Sequence, residues 1–199
     1  MKALKIAAII IGSIAGPIVI IATAAFFLMH RPSGIASHMT PVASSPEAAV
    51  SLDTKWNTFN TAVKQASPGT VVTMNLTQQE LTSKINEELG KGVKLPEGVA
   101  VDNVTVNLVD GKVLVSADVK YSVLQGVAGA ELNVETVNGT PSIVVKDIDM
   151  GKLPIPDALK GQLAGMIPGS GVIGIPNLPV NITGIQIIDG QLFIAGVTK

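Results

Sequence analysis

The chain has 199 residues, a formal net charge of −1 and no cysteine. Once an apolar N-terminal stretch is set aside, its length suits one domain of ordinary size with one core. The lack of cysteine excludes disulfides, thiolate metal sites and a lipid-modified cysteine anchor, so an exported body must hold together through its apolar core alone.

Ile6 to Met29 is uncharged and apolar, long enough for a helix to cross a bilayer, which takes roughly 20 such residues. Lys2 and Lys5 precede it and His30-Arg31 follow it. With the α-amine added, the N-terminal flank is the more positive, so the positive-inside rule sets Met1 in the cytoplasm and the rest of the chain outside. Ala22-Thr23-Ala24 resembles a signal-peptidase site, but the run continues apolar through Met29 and exceeds a signal-peptide core. A retained anchor is therefore the preferred reading over a cleaved leader. Pro17 is expected to kink the helix, which membrane helices tolerate.

Arg31 to Ser45 is rich in Ser, Pro and Ala and reads as a flexible spacer. The only histidines, His30 and His38, lie at or in it and are assigned neither a metal nor a catalysis. The organisation expected is thus 1–30 cytoplasmic tip and anchor, 31–45 linker, and 46–199 an extracytoplasmic domain.

Ser45-Pro46-Glu47 is a helix start, with an N-cap serine, proline in the first turn and an acid beside the helix dipole. Leu52, Trp56, Phe59 and Val63 then recur on one helical face that should pack on the core. Val72, Met74 and Leu76 alternate in a short strand, and Thr77-Gln78-Gln79-Glu80 is a capping box opening a second helix. Its buried stripe is Leu81, Ile85 and Leu89, and Gly90 ends it. Three alternating pairs of strands follow, turning at Asp110-Gly111, Asn138-Gly139 and Asp189-Gly190. Such Asx-Gly turns need positive φ at both residues and specify tight antiparallel hairpins. Asn103, Thr105 and Asn107 should share a wet face, as should Ser116, Asp118, Lys120 and Ser122. The fold class expected is α+β: an N-terminal transmembrane helix, then a curved antiparallel sheet packed on two or three helices. The third helix would follow Gly151 to Pro156.

From Gly161 to Ile188 no residue is charged, and glycines and prolines interleave with Leu163, Met166, Ile167, Val172, Ile173 and Ile175. One reading is a core helix followed by a buried crossover. The other is an apolar lip for a hydrophobic ligand, because uncharged exposed patches mark partners or membranes and glycine-bearing loops on rigid scaffolds bind ligands. Those six side chains are the candidate ligand-binding residues.

Chemistry is otherwise sparse. With no Cys and histidine only at the spacer, the usual nucleophile–base triads cannot form. The acids sit mostly at turns (Asp110, Asp189), in helix starts (Glu47, Glu80) or singly on wet strand faces (Asp118, Glu131, Glu135), and no carboxylate pair suits glycoside hydrolysis. Asp147 and Asp149 share a face and are read as solvated acids rather than a cation site. No phosphate-binding glycine loop is present. The four Asn-x-Thr sequons, beginning at Asn75, Asn103, Asn138 and Asn181, are read as chance. Lys2, Lys5 and Arg31 leave 11 basic residues against 15 acidic ones in the rest of the chain, with few aromatics, which argues against nucleic acid. No enzyme, metal or cofactor is expected.

The order of these features resembles the YpmS-like family of membrane-anchored bacterial envelope proteins. The resemblance covers roughly residues 70 to 197 and is carried by Leu76-Thr77-Gln78-Gln79-Glu80-Leu81 and by Asp149-Met150-Gly151-Lys152-Leu153-Pro154-Ile155-Pro156. It implies an envelope location and a fold, and no reaction. A more distant likeness to the LmeA-like phospholipid-binding proteins implies lipid binding. The expectation is therefore a membrane-anchored extracytoplasmic domain that binds a lipid or another hydrophobic ligand. The alternative is a structural envelope protein gripping a protein partner through 161–188.

Overall fold

Three Asx-Gly pairs set the strand pairing. In a computed structural model that describes residues 33–92, 99–121, 124–149, 172–174 and 179–199, Asp110, Asn138 and Asp189 have φ of 50°, 52° and 49°, and the glycine after each is also positive. That is the backbone a two-residue hairpin turn requires. The hairpins are β2–β3 (Val99–Val109 and Lys112–Tyr121), β4–β5 (Leu124–Val137 and Thr140–Asp149) and β7–β8 (Val180–Ile188 and Gln191–Thr198). β1 (Val71–Thr77) and β6 (Val172–Gly174) complete the strands. The helices are α1 (Gly34–Ser37), α2 (Pro46–Gln65) and α3 (Gln78–Gly90).

The fold is α+β with antiparallel pairing throughout, but the strands form two sheets where the sequence suggested one. Five strands run in the order β2-β3-β4-β5-β6 and three in the order β1-β8-β7. A contiguous cluster from both sheets, α2 and α3 fills the space between them, with Val106, Val119 and Ala130 wholly buried. The N-terminal apolar run lies outside the described residues, as does the third helix expected after Pro156. Among the described residues no helix is long and apolar enough to cross a membrane.

α2 starts as its sequence dictates: the Ser45 hydroxyl accepts from the Ala48 amide at 3.1 Å, and Pro46 occupies the first turn. Leu52, Trp56 and Val63 are buried along its inner face, and Trp56 stacks on Phe59 with ring centroids 6.0 Å apart. At α3 the capping box is complete. The Glu80 amide donates to Thr77 Oγ1 at 3.1 Å, and the Thr77 amide donates to Glu80 Oε2 at 2.9 Å.

α3 also closes an edge of the larger sheet. β2 is the terminal strand, so its outward amides lack a neighbouring strand. The Leu108 amide instead donates to Gln78 Oε1 (3.2 Å), that of Val106 to Thr82 Oγ1 (2.9 Å) and that of Val104 to Asn86 Oδ1 (2.9 Å). Asn86 Nδ2 returns a bond to the Val104 carbonyl at 2.7 Å. The spacing works because four helical residues rise about 6 Å while two strand residues rise about 6.8 Å. One helix turn thus serves one strand repeat.

The segment read as a spacer is seated on the sheet from Ser33 onward. Ser33 is fully buried, and its hydroxyl donates to Asp149 Oδ2 at 3.1 Å while accepting from the Ala36 amide. The Ile35 amide donates to the same carboxylate at 3.2 Å. Gly129 in β4 makes the contact possible, since a Cβ there would lie 2.4 Å from Ser33 Oγ and 2.8 Å from Ile35 Cβ. Further on, Thr40 exchanges two hydrogen bonds with the Asn107 side chain, at 2.7 and 2.9 Å. The Ser45 amide then donates to Ser83 Oγ. Residues 33–45 form a strap from the end of β5 to β2, and Asn107, expected on a wet face, is buried beneath it. Asn103 also departs from the simple alternation: it has φ of 50° at a register shift between Asp102 and Thr105.

Replacing Asn86 with Leu keeps the bulk but strands both polar groups of Val104, a buried residue. Urea denaturation should show a loss of about 1–3 kcal/mol, against a change within about 0.5 kcal/mol for Asn57→Leu on the exposed side of α2.

Candidate functional site

The two sheets have different outer surfaces. On the five-stranded sheet, cross-strand ion pairs join Lys112 to Glu131 (2.9 Å), Lys120 to Asp102 (3.7 Å) and Lys146 to Glu135 (3.9 Å). The outward positions of the three-stranded sheet carry no charge. The β1–β8 and β8–β7 registers align them in rows: Val71, Val197 and Asn181; Thr73, Ala195 and Gly184; Asn75, Phe193 and Gln186; Thr77, Gln191 and Ile188. Val71, Ile188 and Phe193 are exposed. Asn75 Nδ2 donates to Gln191 Oε1 at 3.0 Å, tying the polar part of the face together.

A groove of about 400 Å³ runs across this face. Its floor is the row of small residues Thr73, Ala195 and Gly184, and its wall is the next row, Asn75, Phe193 and Gln186, with Met74 and Ile194 beside them. The low floor has a sequence cause. Ala195 and Gly184 present almost no side chain, and a register shift between Ile182 and Gly184 sets the glycine opposite the alanine. The wall is the aromatic ring of Phe193. Such a groove offers apolar contact, amide hydrogen bonds and the Thr73 hydroxyl, and its lining carries no charged side chain.

Of the residues singled out from the sequence, Val172 and Ile173 lie in β6, paired with Val144 and Ile143 of β5. Leu163, Met166, Ile167 and Ile175 lie outside the described residues. The groove belongs to other residues, although Gly184 and Gln186 fall within the uncharged stretch. A signal for it was present: β7 and β8 carry no charge on either face, and neither does the stretch from Gln65 to Gln79 around β1.

The buried charges serve packing. The Glu80 carboxylate accepts from Ser51 Oγ (2.6 Å), Lys55 Nζ (2.9 Å) and the Thr77 amide. Burial pushes its pKa up, but the Ser51 and Thr77 hydrogen bonds and Lys55 outweigh that and hold it below the ordinary glutamate value. Burial likewise pushes Lys84 down, and Asp53 (2.7 Å) with Glu87 (3.1 Å) outweighs it, so the ammonium is held above its usual value. These groups join α2 to α3. Asp147 Oδ1 accepts from the Ile148 amide at 2.9 Å. Among the described residues no group of three or more His, Cys, Asp and Glu could hold a metal ion.

Comparison of the chain with family models, with curated proteins and with solved structures gives no match.

The charge cluster has a pH signature. Because the folded Glu80 pKa is depressed, its contribution is present above the unfolded pKa and is lost as pH falls through the folded one. Because the folded Lys84 pKa is raised, its contribution is present below the unfolded pKa and is lost as pH rises through the folded one. Stability should therefore be flat between about pH 5 and pH 9 and fall on both sides. Urea midpoints across pH should show Glu80→Gln less stable at pH 7 with a shallower acid limb. An unchanged acid limb would remove Glu80 from that role.

Proposed function

We propose that this protein is a membrane-anchored, extracytoplasmic binding module without catalytic activity, and that it holds a lipid acyl chain or a similar apolar molecule on the outer face of its three-stranded sheet. The observation that carries the reading is the uncharged groove walled by Phe193, about 400 Å³ in size and within the range of small-molecule sites. Each methylene moved from water onto such a surface stabilises by about 0.8 kcal/mol when fully buried, less in an open groove. The amides of Asn75 and Gln186 border the groove and suit an ester or hydroxyl at the end of the chain. The apolar run from Ile6 to Met29 supports a membrane setting, and the surplus of Lys2, Lys5 and the α-amine over Arg31 supports an outward-facing body.

A structural role remains the second reading, favoured by the exposure of Val71, Ile188 and Phe193 across one face (68, 50 and 40 %), which a flat protein partner could cover. A photoactivatable fatty-acyl probe, applied to the full chain in native-lipid nanodiscs, separates the two. Lipid binding predicts adducts on the segments 73–75 and 191–195. Phe193→Asp should lower that labelling roughly tenfold or more, since a carboxylate beside an apolar chain is left unpaired, with the circular dichroism spectrum unchanged. Labelling confined to the N-terminal run, with Phe193→Asp indistinguishable from the parent, would overturn the reading.

A further inference from the structure

We infer that β1 is a homodimer seam: two copies pair their β1 strands antiparallel about a two-fold axis at Thr73 and join their three-stranded sheets into one of six strands. This goes beyond the ligand reading and stands without it.

The inference starts from how the edges are treated. The β2 edge is sealed by Gln78, Thr82 and Asn86. The β7 edge abuts the β4–β5 turn, where the Ile182 amide donates to the Gly139 carbonyl at 2.8 Å. β1 ends its sheet and, among the described residues, pairs with β8 alone. Backbone bonds to β8 alternate along β1. The Gln78 amide donates to the Gly190 carbonyl, whereas the preceding Thr77 amide turns away to Glu80. By the same alternation the amides and carbonyls of Val71, Thr73 and Asn75 point away from β8, toward the side where no described strand lies.

Proteins blunt an exposed edge with lysine, proline, a bulge or an inward charge. β1 has none of these. Its register with β8 runs unbroken from Val71 to Thr77, its sequence VVTMNLT has neither proline nor charge, and Val71 is 68 % exposed.

A second copy suits this edge, because a two-fold contact sets the strand against its own reversed copy, residue i against j and j against i. Charge would then meet like charge, and from Gln65 to Gln79 there is none. With Thr73 opposite Thr73, Val71 faces Asn75 on both sides of the axis. These three narrow pairs exchange about six backbone hydrogen bonds, and the threonine pair is a favourable cross-strand combination. A two-fold axis relating antiparallel neighbours is normal to the sheet, so both Phe193 rings emerge on the same side. The two grooves then lie on one continuous uncharged surface.

Because the chain has no cysteine, single thiols report the seam directly. The test uses full-length chains in native-lipid nanodiscs and in mild detergent. Thr73→Cys should form a disulfide-linked dimer on mild oxidation, as the opposed Cα atoms would be about 5.5 Å apart. Its yield should exceed that of Val50→Cys, exposed on α2, on the order of tenfold through the higher effective concentration. Val71→Cys should link to Asn75→Cys in a mixture and link to itself far less. Thr73→Lys sets two ammonium groups on the axis and should give monomers in sedimentation with an unchanged circular dichroism spectrum. Equal linking at positions 50 and 73, self-linking of Val71→Cys as strong as the mixed pair, a dimer that survives Thr73→Lys, or linking of Thr73→Cys only to a different protein would each overturn the proposal. Failure of the acyl probe alone would leave these readouts unaffected.

Discussion

The bonds from Gln78, Thr82 and Asn86 to the outward amides of β2 are the constraint on which the architecture turns. They fix α3 along the strand in register, one side chain per outward amide, so the helix neither slides nor rotates without orphaning polar groups. α3 follows β1 directly through the Thr77 cap, so the same bonds set the smaller sheet against the larger. The apolar interior, Val104, Val106, Val115 and Leu132 on one side and Met74, Leu76 and Ile85 on the other, fills the space this arrangement defines. Hydrophobic burial supplies the driving force and is indifferent to direction. The polar bonds choose the geometry.

That geometry divides the molecule into two chemically unlike surfaces. The five-stranded sheet presents lysines and acids to water and carries the strap across them. The three-stranded sheet presents amides, hydroxyls and bare hydrocarbon. Surface ion pairs such as Lys146–Glu135 contribute little stability, yet they keep one side solvated. The other side is free of charge, and among the described residues its β1 edge pairs with no strand but β8. The charges that the smaller sheet lacks are not scarce in the chain: α2 and α3 gather Lys55, Glu80, Lys84, Asp53, Glu87 and Glu88 between them.

Much of this was legible from the sequence, and the exceptions have physical causes. Asp110-Gly111, Asn138-Gly139 and Asp189-Gly190 announce hairpins because few other dipeptides tolerate two consecutive positive φ angles. Ser45-Pro46 and Thr77…Glu80 announce helix starts because capping demands those side chains at those offsets. The strap was not legible. Its Ser, Pro and Ala composition matches that of any linker, and its attachment depends on Gly129 and Asp149, more than ninety residues away. The division into two sheets was hidden too, since alternation gives strands but not their neighbours. Gln78, Thr82 and Asn86 stand four apart beside the buried stripe Leu81 and Ile85, a polar line on an inward-turned helix side that is a readable hint of edge closure. The groove was hidden too, because glycine and proline concentrate elsewhere in the uncharged stretch, while its floor needs only an alanine and one glycine in register.

The clasp between Ser33 and Asp149 bears on how far the body can travel. Only three residues separate Met29 from Ser33, and fully stretched they span about 14 Å. With Ser33 buried beneath its own turn and bound to the far end of β5, the remaining strap adds no slack. Under the anchored reading, the domain would ride against the lipid headgroups like a float on a short mooring, sampling what lies at the bilayer surface and never the outer reaches of the wall.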